Sequence, residues 1–141
     1  MPGSTSSRPS KKRASSAWVR EHLDRIEDPA RRALVRRHLD RFEAEVIPAL
    51  ATLRRAVIHN DANDWNVIVG LGPPYERRVI GVVDLGDMLE SVVVAEPAIG
   101  CAYAMQGKAD PLGAAAEVVA GYHAEYPLSE ADVWITPSAM A

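Results

Sequence analysis

The hydrophobic period of this chain changes twice, and that change limits the folds open to it. Up to about residue 53, apolar residues recur at helical spacing. Val19, Leu23 and Ile26 lie four and three apart, and Val35, Leu39, Phe42 and Val46 run at four, three and four. The middle of the chain is built instead from short β-branched runs: Ala56-Val57-Ile58-His59, Val67-Ile68-Val69, and Val79-Ile80-Gly81-Val82-Val83. Runs of that length are too short to be helices and read as strands joined by tight turns, one of them Gly70-Leu71-Gly72-Pro73-Pro74. Val92-Val93-Val94 follows, and then two alanine-rich segments, Ala98 to Met105 and Leu112 to Glu125, return to helix. The predicted class is α+β: mostly helical, with short antiparallel β-hairpins in the middle.

Local signals refine this outline. Asp28-Pro29 is a helix start, with Asp28 as N-cap and proline at the first helical position. Pro48 should end or kink the helix that follows. The stripe Val35, Leu39, Phe42 and Val46 is expected to pack on the helix from Leu112 to Glu125. Arg31, Arg32, Arg36, Arg37 and Arg41 fall on other faces among interleaved acids, which reads as a solvated, salt-bridged surface. Residues 1–16 hold no large apolar side chain beyond Met1 and are expected to be a disordered tail, leaving residues 17–141 as the folded part.

Charge and cysteine usage exclude several functions. Four of the 16 basic residues (Arg8, Lys11, Lys12, Arg13) lie in the tail, so the body sets 12 against 19 acids. An acidic body argues against nucleic acid as a partner. The apolar runs are far short of the roughly 20 residues of a membrane helix, so no membrane partner is expected. The single cysteine, Cys101, is read as an inert buried thiol, and a cytoplasmic setting is the default expectation.

The chemistry lies between His59 and Asp87. The segment His59-Asn60-Asp61-Ala62-Asn63-Asp64-Trp65-Asn66 has the skeleton H-x-D-x-x-x-x-N between two apolar strands, and the next strand ends in Asp84-Leu85-Gly86-Asp87. A carboxylate and an amide on one loop, with a second carboxylate at a neighbouring strand end, is what phosphoryl transfer needs. One carboxylate orients or accepts the proton of the acceptor hydroxyl, while an amide oxygen and a carboxylate hold Mg²⁺ against a triphosphate. Hard oxygen ligands without paired thiols suit Mg²⁺ better than zinc. A metal-dependent hydrolase using His59, Asp61, Asp84 and Asp87 is the rival. It would call for a second histidine, and His22, His38 and His123 fall in helices elsewhere. Asn63 and Asp64 read as turn formers, Trp65 as a packing residue, and Glu96 before Pro97 as a helix cap.

These motifs resemble the aminoglycoside phosphotransferase and choline kinase family of the protein-kinase-like fold. Within it, H-N-D-A-N-D-W-N-V-I-V and G-V-V-D-L-G-D-M are most similar to hydroxylysine kinase-type phosphotransferases. The resemblance spans roughly Trp18 to Asp132. It implies a kinase-like C-terminal lobe and an ATP-dependent transfer of the γ-phosphoryl group to a small amino alcohol or aminoglycoside-like hydroxyl acceptor, hydroxylysine among them. It implies Asp61 as the catalytic aspartate, His59 as a brace of the catalytic loop, and Asn66 and Asp84 as the residues that hold Mg²⁺ and ATP. Asp87 stands near enough to join the metal. The family's small lobe carries a glycine-rich loop and a strand lysine. Here Lys11, Lys12 and Lys108 are the only lysines and none lies in an apolar strand. The expectation is therefore a partial C-lobe with the small N-lobe missing, in a family whose members also occur fused to an aminotransferase domain. The alternative is a truncated fragment that binds without turning over.

Overall fold

The computed structural model describes residues 16–71 and 77–139. The tail expected over residues 1–16 therefore falls outside the described residues except for Ser16, and so does the Gly72-Pro73-Pro74 part of the turn. The chain divides into two units, Met1–Leu39 and Asp40–Ala141.

In the first unit, α1 (Ser16–Glu21) leads through a 3₁₀ turn (Leu23–Arg25) to α2, which runs from Pro29 to Arg41 and so continues past the unit's end. His22 stacks on Trp18 at 4.4 Å between ring centroids and bonds its carbonyl through Nδ1. The N-cap is the expected one: Asp28 Oδ1 accepts from the backbone N–H groups of Ala30 (2.8 Å) and Arg31 (3.3 Å), two donors a helix start otherwise leaves unpaired.

The second unit begins with the end of α2 and a π turn over Phe42–Val46, closed by the Ile47 N–H donating to the Phe42 carbonyl. A short helix, α3 (Ile47–Ala49), follows. Pro48 is the physical cause of the widened turn. It has no N–H for the carbonyl four residues back, and its ring presses on that carbonyl, so the preceding turn opens to an i→i+5 bond. The Phe42–Val46 segment packs on α6 (Glu130–Ala139) rather than on the expected helix from Leu112, and Val46 is buried there. The helices α4 (Ala95–Ala104) and α5 (Pro111–Glu125) pack on each other. At Gly100 the two helices come into contact: a Cβ added there would stand 3.4 Å from Val118 Cγ1, at van der Waals distance. Val93 and Val94, at 0% and 1% exposure, anchor the core, each worth about 1.5–3 kcal/mol of burial. Leu53, Val92 and Val94 cluster with Leu50, Ala95 and Ile135 around them.

The strands form two separate antiparallel pairs. β1 (Arg55–Ile58) pairs with β4 (Leu89–Val92), from Arg55 opposite Val92 to Ile58 opposite Leu89. β2 (Val67–Leu71) and β3 (Arg77–Val82) form a hairpin in which Val67 faces Val82, with a bulge at Ile68/Val69. The class is α+β with short antiparallel sheets, as expected. The motif loop, however, is not the loop of a hairpin: it crosses from one sheet to the other. The hairpin leaves Ile68, Val69, Val79 and Ile80 exposed. Among the described residues no helix is long and apolar enough to cross a membrane.

Candidate active site

The two strand pairs explain why the motif residues meet. Residues 59–66 leave the end of β1 and enter β2, while residues 83–88 leave β3 and enter β4. Because β1 pairs with β4 and β2 with β3, these two connections run between the same two sheets and lie side by side. Two hydrogen bonds tie them together. His59 Nε2 donates to the Val83 carbonyl at 2.8 Å, and the Val83 N–H donates to the Asn66 carbonyl at 2.9 Å. A carbonyl only accepts, so Nε2 carries the hydrogen. Nδ1 is buried with no hydrogen-bond partner.

Within the loop, Asn66 is buried at 8% exposure. Its Nδ2 donates to both the Asp61 carbonyl and Asp61 Oδ2, each at 2.9 Å. With the amide nitrogen committed to Asp61, Asn66 Oδ1 is the atom it can offer a cation. Asn63 clamps the same carboxylate from the other side: its Nδ2 donates to Asp61 Oδ1 at 2.9 Å. Asn63 Oδ1 accepts from the N–H groups of Trp65 (2.8 Å) and Asn66 (3.2 Å). Asn63 is thus the turn former its type suggests, and it also fixes the orientation of the Asp61 carboxylate.

Two non-glycine residues among the described ones have left-handed backbone, Asn60 at φ 66° and Asp84 at φ 58°. Both belong to this site. Asn and Asp bear that conformation better than other side chains, yet it costs about 1–2 kcal/mol. At Asn60 the turned N–H is met by Glu96 Oε2 at 2.9 Å. Glu96, read from the sequence as a cap, reaches from the first turn of α4 to hold the residue before Asp61. The same helix passes close to the loop again at Gly100, where a Cβ would lie 3.9 Å from the Ala62 carbonyl.

Asp84 directly follows the doubly tied Val83. It is exposed, and its Oδ1 lies 3.5 Å from the position a Cβ on Gly86 would take. Asp87 ends the 3₁₀ turn Leu85–Asp87 and is half-buried. The structure therefore brings Asp61 and Asn66 into direct contact and sets Asp84 one residue beyond the ties to both His59 and Asn66. Among the described residues no three or more His, Cys, Asp or Glu gather as a metal site. The donor set near the loop is an amide oxygen and a carboxylate. Those hard oxygens fit Mg²⁺, which keeps waters and takes one or two protein ligands beside substrate phosphates.

Other sequence expectations resolve away from this loop. Cys101 is fully buried, donates to the Ala115 carbonyl at 3.5 Å, and has its thiol pKa raised by burial, as an inert thiol should. A hollow of about 540 Å³ between α5 and α6, bordered by Leu112, Ala115, Val119, Val133 and Pro137, shares no residue with the motif loops.

Comparison with known proteins points to one enzyme family. The family model described as phosphotransferase enzyme family matches residues 1–131. The chain is 33% identical over 90 residues to hydroxylysine kinase of Danio rerio, covering 64% of this chain and 25% of that protein. It is 27% identical over 122 residues to the Xenopus laevis hydroxylysine kinase, covering 83% and 33%. The Mus musculus hydroxylysine kinase is 32% identical over 89 residues, covering 60% and 24%. The chain thus spans a quarter to a third of the length of these relatives. No solved structure matches it.

Proposed function

The chain belongs to the phosphotransferase enzyme family, and from that membership we propose that it carries the catalytic loop of an ATP-dependent small-molecule kinase. The acceptor is a hydroxyl of a small amino alcohol, and hydroxylysine, named in the similar kinases, is the first to try. The observation that carries the reading is the double tie of Val83 to His59 and Asn66, with Asn66 in turn bonded to Asp61.

In this reading Asp61 faces the acceptor. As the acceptor oxygen bonds to the γ-phosphorus and the bond from that phosphorus to the β–γ bridging oxygen breaks, ADP leaves and the hydroxyl proton passes to the Asp61 carboxylate. Asn63 and Asn66 aim that carboxylate through its two oxygens, so its position is settled before the acceptor arrives. His59 acts as a brace on the Asp84 segment, since its Nε2 hydrogen is used on Val83. Asn66 Oδ1 and the Asp84 carboxylate are the groups to hold Mg²⁺, with Asp87 three residues further along. The ion, when bound, offsets the charge of the triphosphate.

The test is a coupled ADP-release assay on the purified chain with Mg²⁺-ATP and a panel of amino alcohols, hydroxylysine included, run beside Asp61→Ala. Acceptor-dependent ADP release that falls at least a hundredfold in the variant is the expected outcome. Release equal in both proteins would refute the assignment.

A further inference from the structure

We propose that Trp65 is the acceptor-binding side chain of this site and that it recognises a protonated amine. The proposal rests on the reading that Asp61 faces the acceptor. Trp65 was expected to pack, yet at 88% it is the most exposed large apolar side chain among the described residues. Its backbone is held all the same. The Trp65 N–H donates to Asn63 Oδ1 at 2.8 Å, and Asn63 Nδ2 donates to Asp61 Oδ1 at 2.9 Å. One asparagine side chain therefore fixes both the start of the indole and the carboxylate four residues earlier. A large aromatic displayed to solvent from a pinned backbone, beside the reacting carboxylate, offers a face to whatever enters the site.

Charge selects the ligand. From Ala56 to Tyr75, and again from Val79 to Gly107, the sequence holds no lysine or arginine, while Asp61, Asp64, Asp84, Asp87, Glu90 and Glu96 fall in those stretches. On these segments a carboxylate of the acceptor, such as that of hydroxylysine, finds no cation to pair with, so they favour its ammonium end. An ammonium finds an indole face, whose quadrupole attracts cations, and the exposed carboxylate of the adjacent Asp64.

The test uses the full chain carrying Trp18→Phe and Trp134→Phe, so that Trp65 is the only one of the three tryptophans left. Its emission is followed while aminopentanol, or hexanol as the neutral molecule of the same length, is added without nucleotide. A saturable change with the amine and none with the alcohol is expected. In calorimetry on the otherwise unaltered chain, Trp65→Ala should weaken aminopentanol binding about tenfold and Trp65→Phe less, since phenylalanine keeps a weaker quadrupole. Equal binding of amine and alcohol, or an unchanged affinity in Trp65→Ala, would overturn the proposal. Because this binding needs no ATP, the two readings fail separately. Amine binding through Trp65 without ADP release would uphold Trp65 and count against phosphotransfer. Asp61-dependent release with the same amine KM in Trp65→Ala would do the reverse.

Discussion

Asn60 turns its N–H away from the loop at φ 66°, and the carboxylate of Glu96 accepts it at 2.9 Å. Without that acceptor the left-handed residue has nothing to offset its strain, and the carboxylate next in sequence is Asp61. The proposed phosphoryl transfer would depend on alignment, and a displacement of about 1 Å at a reacting group costs about a hundredfold in rate. Glu96→Ala should accordingly lower kcat by about a hundredfold and cost about 1–2 kcal/mol of stability. Glu96→Gln keeps an amide oxygen for the Asn60 N–H and should recover most of the rate. Equal losses in both variants would mean that the charge, and not the hydrogen bond, is what matters at this position. Residue type pointed to Asp61, Asn66 and Asp84, because the H-x-D-x-x-x-x-N spacing between apolar runs is specific. It did not reveal Glu96 as a partner of the loop, since that contact joins residues 36 apart and no local pattern records it. Trp65 was misjudged for a related reason: an indole's chemistry favours burial, and only the tertiary structure shows which face the loop turns outward.

Among the elements, those with a strong local period were legible and those made by distant partners were not. The N-cap of α2 and the alanine-rich α4 and α5 followed from Asp28-Pro29 and from propensity. The pairing of β1 with β4 across the whole motif could not be read from either strand, because four-residue runs carry no information about register. The π turn was half legible: Pro48 announced a disturbance but not its form. Helix α6 was missed although its start is signed by Ser129-Glu130-Ala131-Asp132. The Asp132 N–H donates to Ser129 Oγ at 3.2 Å, while the Ser129 N–H donates back to Asp132 Oδ2 at 2.9 Å. This reciprocal capping box satisfies two donors at once. Ser129→Ala should cost about 1–2 kcal/mol, the usual worth of an N-cap, measured as a lower urea midpoint with unchanged slope. A midpoint equal to that of the parent chain would show that the box contributes nothing to α6.

At the scale of the whole second unit, one ion pair joins segments that the sequence sets 78 residues apart. Asp132 is fully buried, and its Oδ2 accepts from Ser129 Oγ (2.7 Å), the Ser129 N–H (2.9 Å) and Arg54 Nη2 (3.1 Å). Arg54, just ahead of β1, also donates to the Pro127 carbonyl at 2.6 Å and stands 5.1 Å from the centroid of the Tyr126 ring. The pair thus fastens the approach to the motif loop onto the start of α6. Burial works to raise the Asp132 pKa, but the Ser129 hydrogen bonds and the Arg54 guanidinium outweigh it and hold the carboxyl below its ordinary 3.8. The unfolded chain therefore binds this proton more readily than the folded one. The stabilisation is complete above the ordinary value and is lost as pH falls through the lower, folded value. Removing the carboxylate by Asp132→Ala should cost about 2–3 kcal/mol at neutral pH, less than for a wholly enclosed pair because the Arg54 side chain left behind is 44% exposed and can be hydrated. Other carboxylates also titrate in acid, so the informative quantity is a difference. The gap in unfolding free energy between the parent chain and Asp132→Asn should be constant above about pH 5 and should shrink steadily below 3.8. A gap that stays constant down to pH about 2 would show that Asp132 has the same proton affinity folded and unfolded, and that neither the Ser129 bonds nor the Arg54 guanidinium favours its charged form.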